Sequence, residues 1–327
     1  MSVFFGDAPD GSWTALYNDG GLTSILPPVG PPPAGNYTNT VLSYWYRIRA
    51  FPIGRGGTVF VVRSSLLTGR DLIIKVWHDL TGLHPKLNIS VGDGTGPAAI
   101  VQSTTGILNH TDTWNAVQVS TNIFSGINSG NFNSAIEVTH NLTPVELAYV
   151  SGSIIAGGGI LWRNTAFAVG QDIFTPNPTE MLPMKGNLSE LWFTPFQFRV
   201  HQGPGDDGTT SGVVVPFGLM ASAYLQVLAG NQLAAGRVGF DGNGPFPPGQ
   251  PIRYPNSGVI GLPAWGIPPV YLKGGNPDAF AANHSDPNHS LMGFGPGGGP
   301  GPIPSSKFLR YGTGGVLGSG DGDPLFI

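Results

Sequence analysis

Cysteine is absent from all 327 residues. That excludes a disulfide framework, a thiolate metal site and a cysteine nucleophile. Charge is scarce too, at 10% of residues, with Lys+Arg 15 against Asp+Glu 19 and a net charge of −4. No basic run exists, so nothing draws the chain to nucleic acid. No apolar stretch approaches the roughly 20 residues of a membrane helix, so no membrane insertion is expected. The opening Met1-Ser-Val-Phe-Phe-Gly-Asp lacks the basic region and apolar run of a secretory signal, which implies synthesis in the cytoplasm. A surface with so little charge is poorly suited to a free monomer and implies contact with other protein, copies of itself included.

What the chain has in excess is glycine, 51 residues, and proline, 31, beside 10% aromatics. That composition predicts many short strands joined by turns, not helices. Thr40–Ala50 alternates Leu42, Tyr44, Tyr46 and Ile48 against Val41, Ser43, Trp45, Arg47 and Arg49. Further strands are predicted at 58–63, 71–78, 86–91, 114–121, 133–140, 160–163, 166–170 and 188–199. Within the last, Leu188 and Trp192 point one way and Leu191 and Phe193 the other, so a strand buried on both faces is expected. Residues 217–233 carry the only helical pattern, and Gly218 and Gly230 weaken it. Beyond Arg237 glycine and proline dominate, with isolated aromatics. The division expected is an N-terminal segment (1–35), a sandwich (36–202), a linker with a short helix (203–237) and an extended arm (238–327) that packs on a partner. Removal of that arm is expected to leave the sandwich folded.

Four of these segments resemble the concanavalin A-like lectin/glucanase superfamily in its laminin-G-like branch. They are Val41-Leu42-Ser43-Tyr44-Trp45-Tyr46-Arg47, Asp112-Thr113-Trp114-Asn115-Ala116-Val117-Gln118-Val119, Phe167-Ala168-Val169-Gly170 and Gly186-Asn187-Leu188-Ser189-Glu190-Leu191-Trp192-Phe193. The resemblance implies an all-β jelly-roll sandwich. In the tail, Pro268-Pro269-Val270-Tyr271-Leu272-Lys273-Gly274 and Asp278-Ala279-Phe280 resemble a segment that follows this jelly roll in tailed-phage structural proteins. That resemblance implies a virion structural protein, decorating capsid or tail or contributing to a fibre or adhesion device, with other virion proteins as partners.

The superfamily includes glucanases, whose chemistry needs two carboxylates flanking the scissile bond. The glutamates here are Glu137, Glu146, Glu180 and Glu190, and none has an acidic residue two positions away. No strand presents two carboxylates on one face, so no catalytic residue is assigned and no enzyme is expected. Glu190 alone reads as a solvated sheet residue. The seven histidines show no zinc spacing. Asp93, Asp241 and Asn243 lie in Asp-Gly turns with the oxygen chemistry of calcium ligands. Such turns usually form because both residues tolerate left-handed backbone, so no cofactor is expected, with calcium kept as an option. Glycan binding uses an aromatic platform beside amides and carboxylates. Trp77, Trp162 and Trp265 are the candidates, although Trp77 and Trp162 sit in strand-like runs that suit core packing. A lectin-like module recognising cell-surface glycans is therefore the alternative to the virion role.

Overall fold

Runs of β-branched and aromatic residues between Gly, Asn and Asp turns make strands of 2–9 residues, which the chain pairs antiparallel throughout. The computed structural model describes residues 3–5, 15–18, 39–47, 57–65, 70–79, 85–107, 114–141, 143–161, 165–175, 177–184, 186–194, 270–272, 292–294 and 300–301. In chain order the strands are β1 (Val3–Phe5), β2 (Ala15–Asn18), β3 (Asn39–Arg47), β4 (Gly57–Ser65), β5 (Arg70–His78), β6 (Leu87–Val91), β7 (Ala99–Ser103) and β8 (Trp114–Asn122). One helical turn, α1 (Phe132–Ala135), precedes β9 (Ile136–His140), β10 (Thr143–Pro144), β11 (Leu147–Ser151), β12 (Ala166–Val169), β13 (Gly186–Thr194), β14 (Val270–Leu272), β15 (Met292–Phe294) and β16 (Pro300–Gly301).

The strands form two sheets. A seven-stranded sheet runs β1-β13-β3-β8-β9-β10, with β14 also on β13. A nine-stranded sheet runs β11-β7-β6-β5-β4-β12-β2-β15-β16. Among the described strands the chain passes between sheets at β1→β2, β2→β3, β3→β4, β7→β8, β10→β11, β12→β13 and β14→β15. This is the all-β jelly-roll sandwich expected from the sequence. Among the described residues no helix is long and apolar enough to cross a membrane.

Both ends of the described chain enter the core. Phe5 on β1 and Leu16 on β2 are buried, although they precede residue 36. From the stretch read as an outlying arm, Val270 and Leu272 on β14 are 0% exposed and share the core with Leu191 and Phe193. β14 pairs along Leu191–Phe193 of β13, and β15 pairs along Ala15–Tyr17 of β2. These short segments pack on the chain's own sheets because two strand edges stood open to accept them. The helix expected at 217–233 lies outside the described residues.

Local differences from the sequence reading have physical causes. β13 is not buried by a simple alternation, because its register against β3 shifts between Ser189 and Trp192. Glu190 and Leu191 together stand opposite Tyr44, a β-bulge that reverses the parity. Leu188, Leu191 and Phe193 therefore all reach one core. Residues 132–135 coil before β9 because Phe132 N–H bonds the Asn128 carbonyl (3.1 Å) and Ser134 N–H bonds that of Asn131 (3.0 Å). The strand expected at 160–163 is not formed at Ile160–Leu161, where Leu161 N–H bonds the Asp93 carbonyl instead (2.7 Å). β7 and β11 are strands that the sequence reading did not assign.

The core is aliphatic and aromatic, and the ring of His78 is buried beside Tyr44 and Tyr46. Phe60 from β4 meets Phe193 from β13, with ring centroids 5.0 Å apart, which joins the two sheets. His78, the last residue of β5, is 0% exposed and stacks on Tyr46 of β3 at 4.9 Å and 15°. Its Nε2 lies 2.9 Å from the Tyr44 hydroxyl, while its Nδ1 has no hydrogen-bond partner among the described residues. Burial, and then the charge of nearby His140, push the imidazole down to about 3 from its ordinary 6.5. Burial and then Tyr46 raise the Tyr44 phenol well above its ordinary value. Both groups are neutral at physiological pH.

The imidazole couples stability to pH with a definite sign. Below pH 6.5 the unfolded chain takes up a proton at His78 that the folded chain refuses until about pH 3. The contribution of His78 to stability is therefore full above pH 6.5 and falls as pH drops from 6.5 toward 3. We predict that urea denaturation at stepped pH shows this loss at up to roughly 1.4 kcal/mol per pH unit, and that His78→Leu combined with Tyr44→Phe flattens the profile. An unchanged slope in the double variant would assign the loss to other groups.

Candidate functional site

Strand parity decides which residues leave the core. On β5, Ile74, Val76 and His78 point inward, so Lys75 and Trp77 project from the outer face of the nine-stranded sheet. Register then extends this face sideways. Trp77 pairs with Asn88 on β6, Asn88 with Gln102 on β7, and Gln102 with Ala148 on β11. A second row runs Tyr17, Ala168, Val61, Lys75, Ser90 and Ile100.

The first row is a polar ladder beside an indole. Gln102 Nε2 donates to Asn88 Oδ1 at 2.8 Å, and Asn88 Nδ2 donates to Asp79 Oδ1 at 2.7 Å. Lys86 Nζ stands 3.5 Å from Gln102 Oε1. Glu146 borders the far side, exposed, accepting from Thr104 Oγ1 at 3.2 Å. Trp77, Asp79, Lys86 and Gln102 are half-buried, so they are held by neighbours yet reach solvent. Lys75 Nζ lies 5.6 Å from the Trp77 ring centroid, over one side of the indole.

Residues 170–175 and 177–184 form a segment that covers the part of the second row made by Tyr17, Ala168, Val61 and Lys75. It closes on itself where Met184 N–H bonds the Gly170 carbonyl (2.6 Å) and Asp172 N–H bonds that of Met181 (2.9 Å). Val61, Leu72, Ala168 and Tyr17 form a small outer cluster with Ile173 and Phe174, and the Tyr17 and Phe174 rings meet edge-on at 6.3 Å. A buried ion group fixes the segment to the sheet. Arg63 on β4 donates from Nε (3.2 Å) and Nη2 (2.7 Å) to the two oxygens of Asp172, and Lys75 Nζ donates to Oδ2 at 3.1 Å. Asp172 is 0% exposed. Lys75 also donates to the Glu180 carbonyl. Burial lowers the Lys75 ammonium below its ordinary range, and Asp172 opposes that shift. The charges are desolvated but paired and hydrogen-bonded, the condition under which buried ions persist.

The covering segment also flanks Trp77. Thr58 is the β4 partner of Trp77, and its N–H bonds the Leu182 carbonyl at 2.8 Å while its Oγ1 bonds that of Met181 at 3.2 Å. The approach requires glycine next door: Gly57 has φ +99, and a Cβ there would lie 2.3 Å from the Pro183 carbonyl oxygen. Glu180 is tied into the segment, with Oε2 accepting from Thr175 (3.1 Å) and Oε1 from Asn177 (3.0 Å).

The residues singled out from the sequence do not all meet. Trp77 stands on this outer face, not in the core. Trp162, Trp265, Asp241 and Asn243 lie outside the described residues. Asp93 closes its own turn, its Oδ1 accepting from Thr95 N–H (2.8 Å) and Oγ1 (2.6 Å). Among the described residues no group of three or more His, Asp or Glu side chains could hold a metal ion. Asn88, Gln102, Asp79 and Lys86 were not anticipated. For Asn88 a signal existed, because Lys86, Asn88 and Ser90 alternate with Leu87, Ile89 and Val91.

No protein-family model matches the chain, and no curated protein matches it. Solved structures with a similar course include a heptameric SAP-like pentraxin from Limulus polyphemus, 12% identical over 62% of this chain and 78% of that one, with TM-score 0.38. Mouse laminin α1 chain domains LG4-5 are 13% identical over 60% of this chain and 41% of that one, with TM-score 0.32. The CBM40 of the Ruminococcus gnavus IT-sialidase, bound to α2,3-sialyllactose, is 7% identical over 56% of this chain and 88% of that one, with TM-score 0.32.

The ion group predicts a non-additive mutational response. Asp172→Leu alone strands two buried cations and should cost about 3–5 kcal/mol. Adding Arg63→Met and Lys75→Met should recover most of that loss, because the row becomes apolar and consistent with its neighbours. Urea denaturation of the single and triple variants measures both, and an inexpensive single variant would show that the segment is held by other contacts.

Proposed function

We propose that this chain is a carbohydrate-binding module whose site is the outer face of β5, β6 and β7, with Trp77 as its platform. The observation that carries the reading is the placement of a half-buried indole directly beside the hydrogen-bonded ladder of Asn88 and Gln102. A pyranose ring has an apolar face of C–H groups and a rim of hydroxyls. An indole removes the former from water, and fixed amides and a carboxylate exchange hydrogen bonds with the latter. Because the ladder side chains bond one another, they are ordered before a ligand arrives, which lowers the entropy cost of binding.

The arrangement supports binding over hydrolysis. Of the carboxylates near the platform, Asp79 holds Asn88, and Glu180 is bonded within the covering segment. The virion role drawn from the sequence has no comparable support, since β14, inside the stretch that resembles phage proteins, is used by this chain's own β13. The two roles are compatible if a particle carries the module to a glycan-bearing surface.

A glycan array with the full chain and Trp77→Ala tests the reading. Wild type should bind a defined subset of glycans, and Trp77→Ala should weaken that binding at least about thirtyfold, the loss of a hot-spot contact of ~2 kcal/mol. Near-ultraviolet circular dichroism establishes that the variant keeps its packing. Binding that survives the substitution would remove the platform from the mechanism, and no binding to any glycan would end the proposal.

A further inference from the structure

We infer that the glycan accepted at Trp77 is a neutral one, with Asp79 as the residue that selects against sugar carboxylates; this rests on the carbohydrate-binding reading above. A sialic or uronic acid carboxylate needs a cation available to pair with it, preferably a guanidinium that can grip both oxygens. Arg63, the nearby described guanidinium, already grips both oxygens of buried Asp172. Lys75 is engaged by the same carboxylate and by the Glu180 carbonyl. Its ammonium lies over the indole, but it is anchored under the covering segment.

Among the described residues Lys86 is the cation that remains on the ladder, and Asp79 and Glu146 lie on the same face. Asp79 lies directly across the β5–β6 pairing, where its N–H bonds the Lys86 carbonyl at 3.0 Å. Glu146 stands exposed on the far border. Among the described residues on this face, Arg63, Lys75 and Lys86 thus stand against four carboxylates, those of Asp172, Asp79, Glu146 and the exposed Glu180 of the covering segment, which leaves a net negative charge. An acidic sugar stacked on Trp77 meets net repulsion.

A neutral sugar meets the reverse. Asp79 Oδ1 is fixed by Asn88, whereas its Oδ2 accepts no hydrogen bond among the described residues. An ionised carboxylate oxygen held this way is a strong acceptor for a hydroxyl, and charge assistance makes that bond shorter and stronger than a neutral one. Lys86 Nζ and the remaining Gln102 amide hydrogen can donate to neighbouring hydroxyl oxygens. The group is therefore suited to adjacent hydroxyls, one donating and one accepting, on an uncharged hexose or pentose.

The test compares matched glycan pairs that differ by one acidic sugar, lactose against sialyllactose and xylo-oligosaccharide against its glucuronate-bearing form. Titration calorimetry uses the full chain, Trp77→Ala, Asp79→Asn and Glu146→Gln. The expected result is at least about tenfold tighter binding of the neutral member of a pair, lost in Trp77→Ala. Asp79→Asn, which keeps an acceptor for Asn88, should weaken the neutral glycan and narrow the gap within the pair. Glu146→Gln, at an exposed position, should narrow the gap by a smaller factor without altering the fold. Preference for the acidic member that still requires Trp77 would overturn the inference and leave the binding site standing. A gap unmoved by Asp79→Asn and Glu146→Gln would overturn their role as selectors. Failure of both members to bind would overturn the inference and the carbohydrate reading together.

Discussion

The register of β4, β5, β6 and β7 is the constraint on which the rest of this molecule depends. Antiparallel pairing fixes which residue stands beside which, and the period of two fixes which face each one takes. A slip of one residue in β5 would carry Trp77 into the core and expel His78 from between Tyr44 and Tyr46. The inner apolar residues of the four strands prevent it, since Phe60, Val62, Ile74, Val76, Ile89 and Val101 are all 0% exposed. The hydrophobic side of the sheet thus holds the polar side in position. The Asn88–Gln102 ladder is a consequence of core packing on the opposite face.

The outer face then divides into a covered half and a wet half. Over Tyr17, Ala168 and Val61 the covering segment, through Ile173 and Phe174, lies down on small and apolar groups, and the ion group of Arg63, Lys75 and Asp172 fixes its position. A buried carboxylate can satisfy two cations in only one placement, so this group determines where the segment lies more than it adds stability. One strand row further along, the covering ends at Thr58, and Trp77 comes into view of solvent. The boundary between the halves is set by Gly57, where any side chain would strike the Pro183 carbonyl.

The two ends of the sequence contribute to both sheets. β1 and β14 share one edge of β13, β1 along Gly186–Leu188 and β14 along Leu191–Phe193. β2 and β15 complete the nine-stranded sheet beside β12. Segments that look like unstructured Gly and Pro tracts in the sequence thereby close strand edges that would otherwise be open to pairing with other chains.

By itself the sequence determined the class of fold and most of the strands, because alternation in 40–50, 71–78, 86–91 and 114–121 is a local property of the chain. It also grouped Leu42, Tyr44 and Tyr46 on one face of β3, and singled out Trp77 as an aromatic of interest. It could not say that Trp77 faces outward, because a tryptophan within an apolar run reads equally well as core. Three-residue strands such as β14 carry too few residues for periodicity and form only where an open edge receives them. The bulge in β13, the pairing of Asp172 with Arg63 and Lys75 from 109 and 97 residues away, and the alignment of Asn88 and Gln102 beside Trp77 were decided by tertiary structure alone. Each depends on which strands become neighbours, and that choice is made by burying the whole core at once.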